Sequence, residues 1–351
     1  VSGRLELRRG VVVGADPLMV EVEGERRPAW ADGAMLGEMR EGDEVVVNVA
    51  ALDLGLGSGG FDVVHVNLTR GLGPRDGRGE EHVMKLNYTS LQHPVEPVER
   101  KGGAPARGGT GPVQGSAMPV LVLPLHGHLA PAAWAVAQVA PRSTVGYVQS
   151  AGGALPGSLS RDVPELRERG LLAGHVTAAP AYGGKHEALS VVGALDAAAT
   201  KLGWDAAIVG PGPGIIGSDT RLGHGGMAAL DSAHAALALG LRTFLSPRLS
   251  ASDPRDRHRG VSHHTLTAMQ MLLAAVEVPV PAGEPVAIAQ LAEAAGWRHK
   301  LREAPADLTG YAATGLPART MGRDLADDPL FFAAPLAAGH VLGVFSAGGV
   351  G

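Results

Sequence analysis

Apolar and polar positions change their rhythm once along this chain, and the change divides it. Residues 3–13, 18–22, 44–54 and 61–68 are β-branched runs with partial alternation, parted by Gly, Pro and Asp turns. Short strands at that spacing predict a small N-terminal β-barrel or β-sandwich over residues 1–70. From residue 118 onward, apolar runs alternate with amphipathic stretches. Strands are predicted at 119–125, 144–149, 174–179, 206–210 and 242–246, and helices at 130–139, 163–169, 186–202, 227–239, 263–276 and 285–295. A last helical segment after residue 320 turns Phe331 and Phe332 inward. Such alternation implies βαβ units. The expectation is an α/β domain over 118–351: a mostly parallel, doubly wound sheet with helices on both faces. Between the two regions, 71–117 is rich in Gly, Pro and Arg. It reads as a linker carrying one extended segment, HVMKLNYTSLQHPVEPVE.

Composition narrows the function classes. A net charge of -5 over 351 residues argues against holding nucleic acid on a basic face. The absence of cysteine removes disulfides, thiolate nucleophiles and cysteine-built zinc sites. The first residues lack the apolar core of a signal peptide. The most apolar stretch, 331–350, is interrupted by Pro335, His340 and glycines, so no membrane span is predicted. These features lead to the expectation of a cytoplasmic protein with neither nucleic-acid nor membrane partners. The unprotected edges of an α/β sheet add the expectation of a homo-oligomer.

Candidate chemistry gathers where the predicted strands end. In a doubly wound sheet the loops after the strands share one face, the ligand face. The fourth strand runs into DAAIVGPGPGIIGSDTRLGHGG, residues 205–226. Gly212, Gly214 and Gly217 match GxGxxG, but a second match at 55–60 lies among the N-terminal strands, so the motif is weakly specific. The next strand ends in Phe244-Leu245-Ser246, without the acidic residue that would hold a ribose, which argues against NAD. Ser218 stands where a Walker lysine belongs. The loop is either a plain glycine turn or an anion cradle of backbone N–H groups, with Gly212, Gly214, Gly217, Ser218 and Thr220 as ligand-binding candidates. Gly152 and Gly153, after the second strand, join them.

Three further groups stand out. His126-Gly127-His128 places two imidazoles on one side of a predicted extended strand end, a spacing for divalent metal that needs further ligands. The run 253–265, DPRDRHRGVSHHT, is the densest polar cluster. Ser262 is a natural N-cap there, putting His263 and His264 in a helix's first turn, where the dipole favours neutral imidazole. Arg255, Arg257 and Arg259 would supply charge to an anion. Asp219 and His224, beside the glycine loop, complete the catalytic candidates, Asp219 being placed to orient a histidine or hold a metal.

The segments SAGGALPGSLSRDVPELRERGLLAG, VGPGPGIIGSDTRLG, DPRDRHRGVSHHT and TMGRDLADDPLFF together resemble a bacterial family catalogued as domain of unknown function 3866. The likeness extends over nearly the whole chain. It implies no activity and transfers no catalytic residue.

Two functional classes follow. The first is an enzyme or small-molecule-binding protein whose His/Arg/Gly-loop cleft takes an anionic or phosphorylated ligand, with a metal-dependent hydrolase using the HxH pair as a weaker variant. The second is a non-catalytic homo-oligomeric scaffold or sensor.

Overall fold

Valine-rich alternation closes the N-terminal strands into a barrel. The computed structural model describes residues 3–56, 59–73, 81, 83–100 and 118–348, and the chain divides into two units, Val1–Glu80 and Glu81–Gly351. In the first, β1 (Leu7–Ala15), β2 (Leu18–Val22), β3 (Glu25–Trp30), β4 (Glu44–Asn48) and β5 (Asp62–Asn67) form a closed barrel in the order β1-β2-β3-β5-β4. Val12, Val20, Val22, Val45, Val47, Val49 and Val64 fill it, as small branched side chains suit a narrow interior. Strand β3 was not predicted, because its sequence ERRPAW is largely exposed and carries no apolar alternation. The predicted strand 44–54 ends at Asn48 and turns into a short helix, Ala50–Asp53.

The second unit begins with an antiparallel pair, β6 (Val83–Lys85) and β7 (His93–Val95). Buried Lys85 ties it to the large sheet: its ammonium donates to the carbonyls of Thr177 at 2.7 Å and Ala181 at 2.6 Å, and to the Glu187 carboxylate. The predicted linker residues 101–117 lie outside the described residues.

Eight parallel strands follow. They are β8 (Val120–Val122), β9 (Val145–Ser150), β10 (Gly174–Ala178), β11 (His186–Ala188), β12 (Ala206–Pro211), β13 (Thr243–Leu245), β14 (Glu277–Pro281) and β15 (Lys300–Ala304). Their order is β11-β10-β9-β12-β8-β13-β14-β15. Successive residues feed two separate cores, as pleating requires. Val120, Val122, Ala207 and Val209 join the helices Val191–Thr200, Ala228–Ala238, His263–Met271 and Pro285–Ala295. Leu121, Leu123, Ala206 and Ile208 join the helices Leu129–Val139, Asp162–Glu168 and Pro329–Ser346. The doubly wound α/β expectation therefore holds.

Two predicted helices differ, and two strands were not predicted. The helix expected at 186–202 opens as strand β11, and the helix begins at Val191 after Ser190, whose side chain accepts from the Gly193 N–H at 3.0 Å. The helix expected at 263–276 stops at Met271 and leads into β14. Strands β14 and β15 went unread because EVPVP holds two prolines, which argue against a strand inside a sheet, and KLREA is charged. Pairing of β13 with β14 is limited to Phe244 and Glu277. Among the described residues one helix is long and apolar enough to cross a membrane, Pro329–Ser346. Here it is a core helix: 67% of it is buried, Phe331 and Phe332 included, and Gly339 and Gly343 let it press on Leu129–Val139.

The winding fixes where a ligand can sit. Strands β9, β12, β8 and β13 are neighbours, and their following helices go to alternate faces of the sheet. Neighbouring strands whose connections part in this way open crevices at their carboxyl ends.

Candidate functional site

A cavity of about 640 Å³ occupies that position, within the size range of small-molecule sites. His126, Asp219, His224, His263 and His264 all line it, from three distant segments, and Gly214, Gly217, Thr220 and Arg255 line it with them.

The glycine loop is held by backbone packing. Gly152 and Gly153 do not line the cavity: a Cβ on Gly153 would run into the Gly212 carbonyl, and one on Gly152 into that of Gly225. Gly212 in turn lies against the Ala154 carbonyl. These glycines let the loops after β9 and β12 interlock main chain to main chain, a role distinct from cradling an anion. Ser218 is likewise turned inward on the loop, its hydroxyl bonded to Thr220 at 3.0 Å and to the Gly223 carbonyl at 2.9 Å. The GxGxxG spacing does not open a helix here, since the next α-helix starts at Ala228.

The HxH pair is not at an extended strand end. His126–His128 is a 3-10 turn, and the two rings have separate surroundings. His126 donates from Nδ1 to the Pro211 carbonyl at 3.3 Å and accepts at Nε2 from the Ser160 hydroxyl at 2.8 Å. His128 is fully buried, with Nδ1 3.3 Å from Ser246 and its ring edge-on to Phe331. Burial pulls their pKa values down to about 4 and about 3. Neither belongs to a group of three metal-ligating side chains among the described residues. Asp162, facing the cavity 3.8 Å from His126, is raised to about 6 by burial and then by Glu165. It is a candidate acid/base that the sequence reading did not single out.

The loop after β13 carries most of the charge. Ser262 caps the helix His263–Met271, accepting from the His264 N–H at 3.3 Å, and is also 2.7 Å from His258 Nδ1. Asp253 is wholly buried and gathers Arg248, Arg255 and Arg323. Burial alone would raise its pKa, but hydrogen bonds from Arg255 and the charges of Arg255 and Arg248 hold it well below the usual carboxylate range. Arg248, only 4% exposed, lines the cavity, and its Nε has no partner. Arg257 lines it as well, bonded to Asp219. Asp219 thus pairs with an arginine and orients no histidine. Arg259 points elsewhere, toward Asp256 at 3.3 Å and the Asp253 carbonyl at 3.4 Å.

His224, His263 and His264 come together. His224 and His264 stack with centroids 3.6 Å apart, and His263 meets both edge-on. Burial lowers the pKa of all three, with His224 the next cause for the other two, so each ring is neutral near pH 7. Each keeps one buried nitrogen without a partner. An unsatisfied buried polar atom costs on the order of 1–3 kcal/mol.

A hairpin from the distant segment Arg319–Asp324 reaches the same cavity with Thr320 and Met321, while Arg323 binds Asp253 and Asp328.

The family model described as Protein of unknown function (DUF3866) matches residues 29–339. The chain belongs to this family. No curated protein and no solved structure matches it. The segments of residues 150–174, 209–223, 253–265 and 320–332 that carry the family likeness thus each contribute to the walls of one cavity. Sequence reasoning missed Arg248, Asp162 and His258. Arg248 follows a predicted strand end, in SPRLS, and that position was its only signal.

Proposed function

We propose that the chain is an enzyme whose cleft binds a small anionic ligand bearing phosphate or carboxylate. The observation that supports this is Arg248: a buried guanidinium on the cavity wall, with an unpartnered Nε and with its charge only partly met by Asp253. Burial lowers its pKa to about 10, so it remains a cation at neutral pH. Arg255 and Arg257 extend the positive wall, and neutral imidazoles face the same space. Asp162 is the candidate proton donor and acceptor. Calorimetric titration of the full chain with inorganic phosphate and pyrophosphate, glycerol serving as the neutral control, tests this reading. Arg248→Met should weaken anion binding about 10–100-fold, the loss of a charged hydrogen bond worth about 1.5–3 kcal/mol. No saturable binding of either anion, or unchanged binding by folded Arg248→Met, overturns it.

A further inference from the structure

We propose that His224, His263 and His264 form a site for one divalent first-row transition ion of the zinc, cobalt or iron class. One ring nitrogen from each lies within 4.8 Å of the other two. The rings also carry the buried, unpartnered atoms His224 Nδ1, His263 Nε2 and His264 Nδ1. For His224 the tautomer is fixed: Nε2 lies 3.0 Å from the Arg221 carbonyl, which can only accept, so Nε2 bears the proton and Nδ1 offers a lone pair. A metal-bound imidazole commonly makes this kind of outer hydrogen bond.

Room for an ion is supplied by Gly226. A Cβ there would stand 2.9 Å from His264 Nδ1 and 3.0 Å from His224 Nδ1, so both nitrogens border a spot that any larger residue fills. Gly226 does not have positive φ, so conformation alone does not demand glycine. Three imidazoles without a carboxylate suit a borderline transition ion rather than magnesium or calcium, which prefer oxygen. Three protein ligands also leave a coordination position open, the pattern of catalytic rather than structural sites.

One adjustment is required. His224 and His264 are only 10° from parallel, and in-plane lone pairs of parallel rings run side by side. Ligation therefore tilts the two rings toward each other. The use of the open position, though not the binding of the ion, rests on the anion-cleft reading: an anion reaching it would also meet Arg248, Arg255 and Arg257 in the same cavity.

The test uses the full chain, stripped with a chelator and titrated with Co(II) and Zn(II). Cobalt absorption reports coordination, and equilibrium dialysis reports stoichiometry. The wild type should bind a single equivalent with the intense visible bands of a four- or five-coordinate ion. His263→Ala and His224→Ala should each weaken binding more than about 100-fold, beyond the about 10–100-fold typical of outer-sphere losses. His234→Ala, on the helix Ala228–Ala238 and outside the cavity, should leave it unchanged. Gly226→Ala retains every ligand but fills the gap, and should block binding with the melting temperature nearly kept, so a misfolded histidine variant does not decide the matter. Binding no tighter than that of the His224/His263/His264 triple-alanine variant, or full affinity in Gly226→Ala, overturns the proposal. Phosphate titration of the metal-free protein separates the two readings. Phosphate binding together with failure of the stripped chain to bind Co(II) or Zn(II) sinks the ion site alone, and ion binding together with failure to bind phosphate sinks the anion cleft alone.

Discussion

Two groups of histidines sit at the same end of the sheet and have opposite hydrogen-bond accounts. His126 uses both ring nitrogens, on Pro211 and Ser160, and His128 is enclosed against Phe331 with one spare nitrogen that joins no group of three metal-ligating side chains among the described residues. His224, His263 and His264 direct three spare nitrogens into one neighbourhood. Spacing in the sequence favours the first group as a metal pair; the fold favours the second. The difference teaches that ligation depends on which lone pairs remain unclaimed after folding, and HxH spacing is silent about that.

The largest expected effect is acid unfolding driven by buried histidines of both groups, since burial also lowers His258 to about 3 and His264 to about 2 in the cavity. Burial lowers His126 to about 4 and His128 to about 3; it does the same to His175, to about 3, with His126 as the next cause. Their unfolded values are near 6.5, so below that pH the unfolded chain binds more protons than the fold. Each contributes stability that is complete above about pH 6.5 and is lost as pH falls toward its folded value, at up to about 1.4 kcal/mol per pH unit. Asp162 has the opposite sign: raised to about 6, it loses stability as pH rises from about 4 to 6, and so offsets about one histidine in that window. Urea midpoints recorded from pH 7.5 to 4 should fall steeply below 6.5, and His128→Leu should flatten the slope. A flat profile breaks the assignment of the enclosed group.

Next in size is a direct contrast between the groups. His128→Ala empties a fully enclosed site and should cost about 3 kcal/mol, near the low end for a large ring removed from a core. His263→Ala removes a partly exposed first-turn side chain and should change stability by less than about 1 kcal/mol. Chemical denaturation of both variants at pH 7.5 checks this. Equal losses would mean that the cavity group is as structural as the other.

Much of the fold could be read from the sequence because it depends on period. Five sheet strands and the two-faced winding follow from apolar runs such as Ala206–Pro211, buried on both sides and feeding both cores. What escaped was specified by context. Strand β14 is interrupted by Pro279 and Pro281, and β3 has no apolar face. At the site, the N-cap Ser262 and the adjacent His263 and His264 were legible because a cap is a local signal. Arg248 and Asp162 were not, because their weight comes from burial against Asp253 and His126, partners that only the fold brings near.

The smallest effect tests the glycine loop, where the sequence suggested one role for several residues and the structure divides it. Gly153 and Gly217 both stood as ligand-binding candidates. Gly153 is closed in: its added Cβ would collide with the Gly212 carbonyl and lie 3.0 Å from that of Pro213, both main chain, so the interlocked loops would have to part. Gly217 borders the cavity and does not have positive φ; a Cβ there would meet His224 Cβ at an ordinary 3.5 Å. Gly153→Ala should therefore cost about 1–3 kcal/mol, the usual range for overpacking. Gly217→Ala should stay within about 0.5 kcal/mol. Melting and phosphate titration on the same samples resolve the roles, since a packing glycine lowers stability first and affinity only as the loop shifts. Should Gly153→Ala melt like the wild type while losing phosphate, its amide touches the ligand, and the loop is the anion cradle that its sequence suggested.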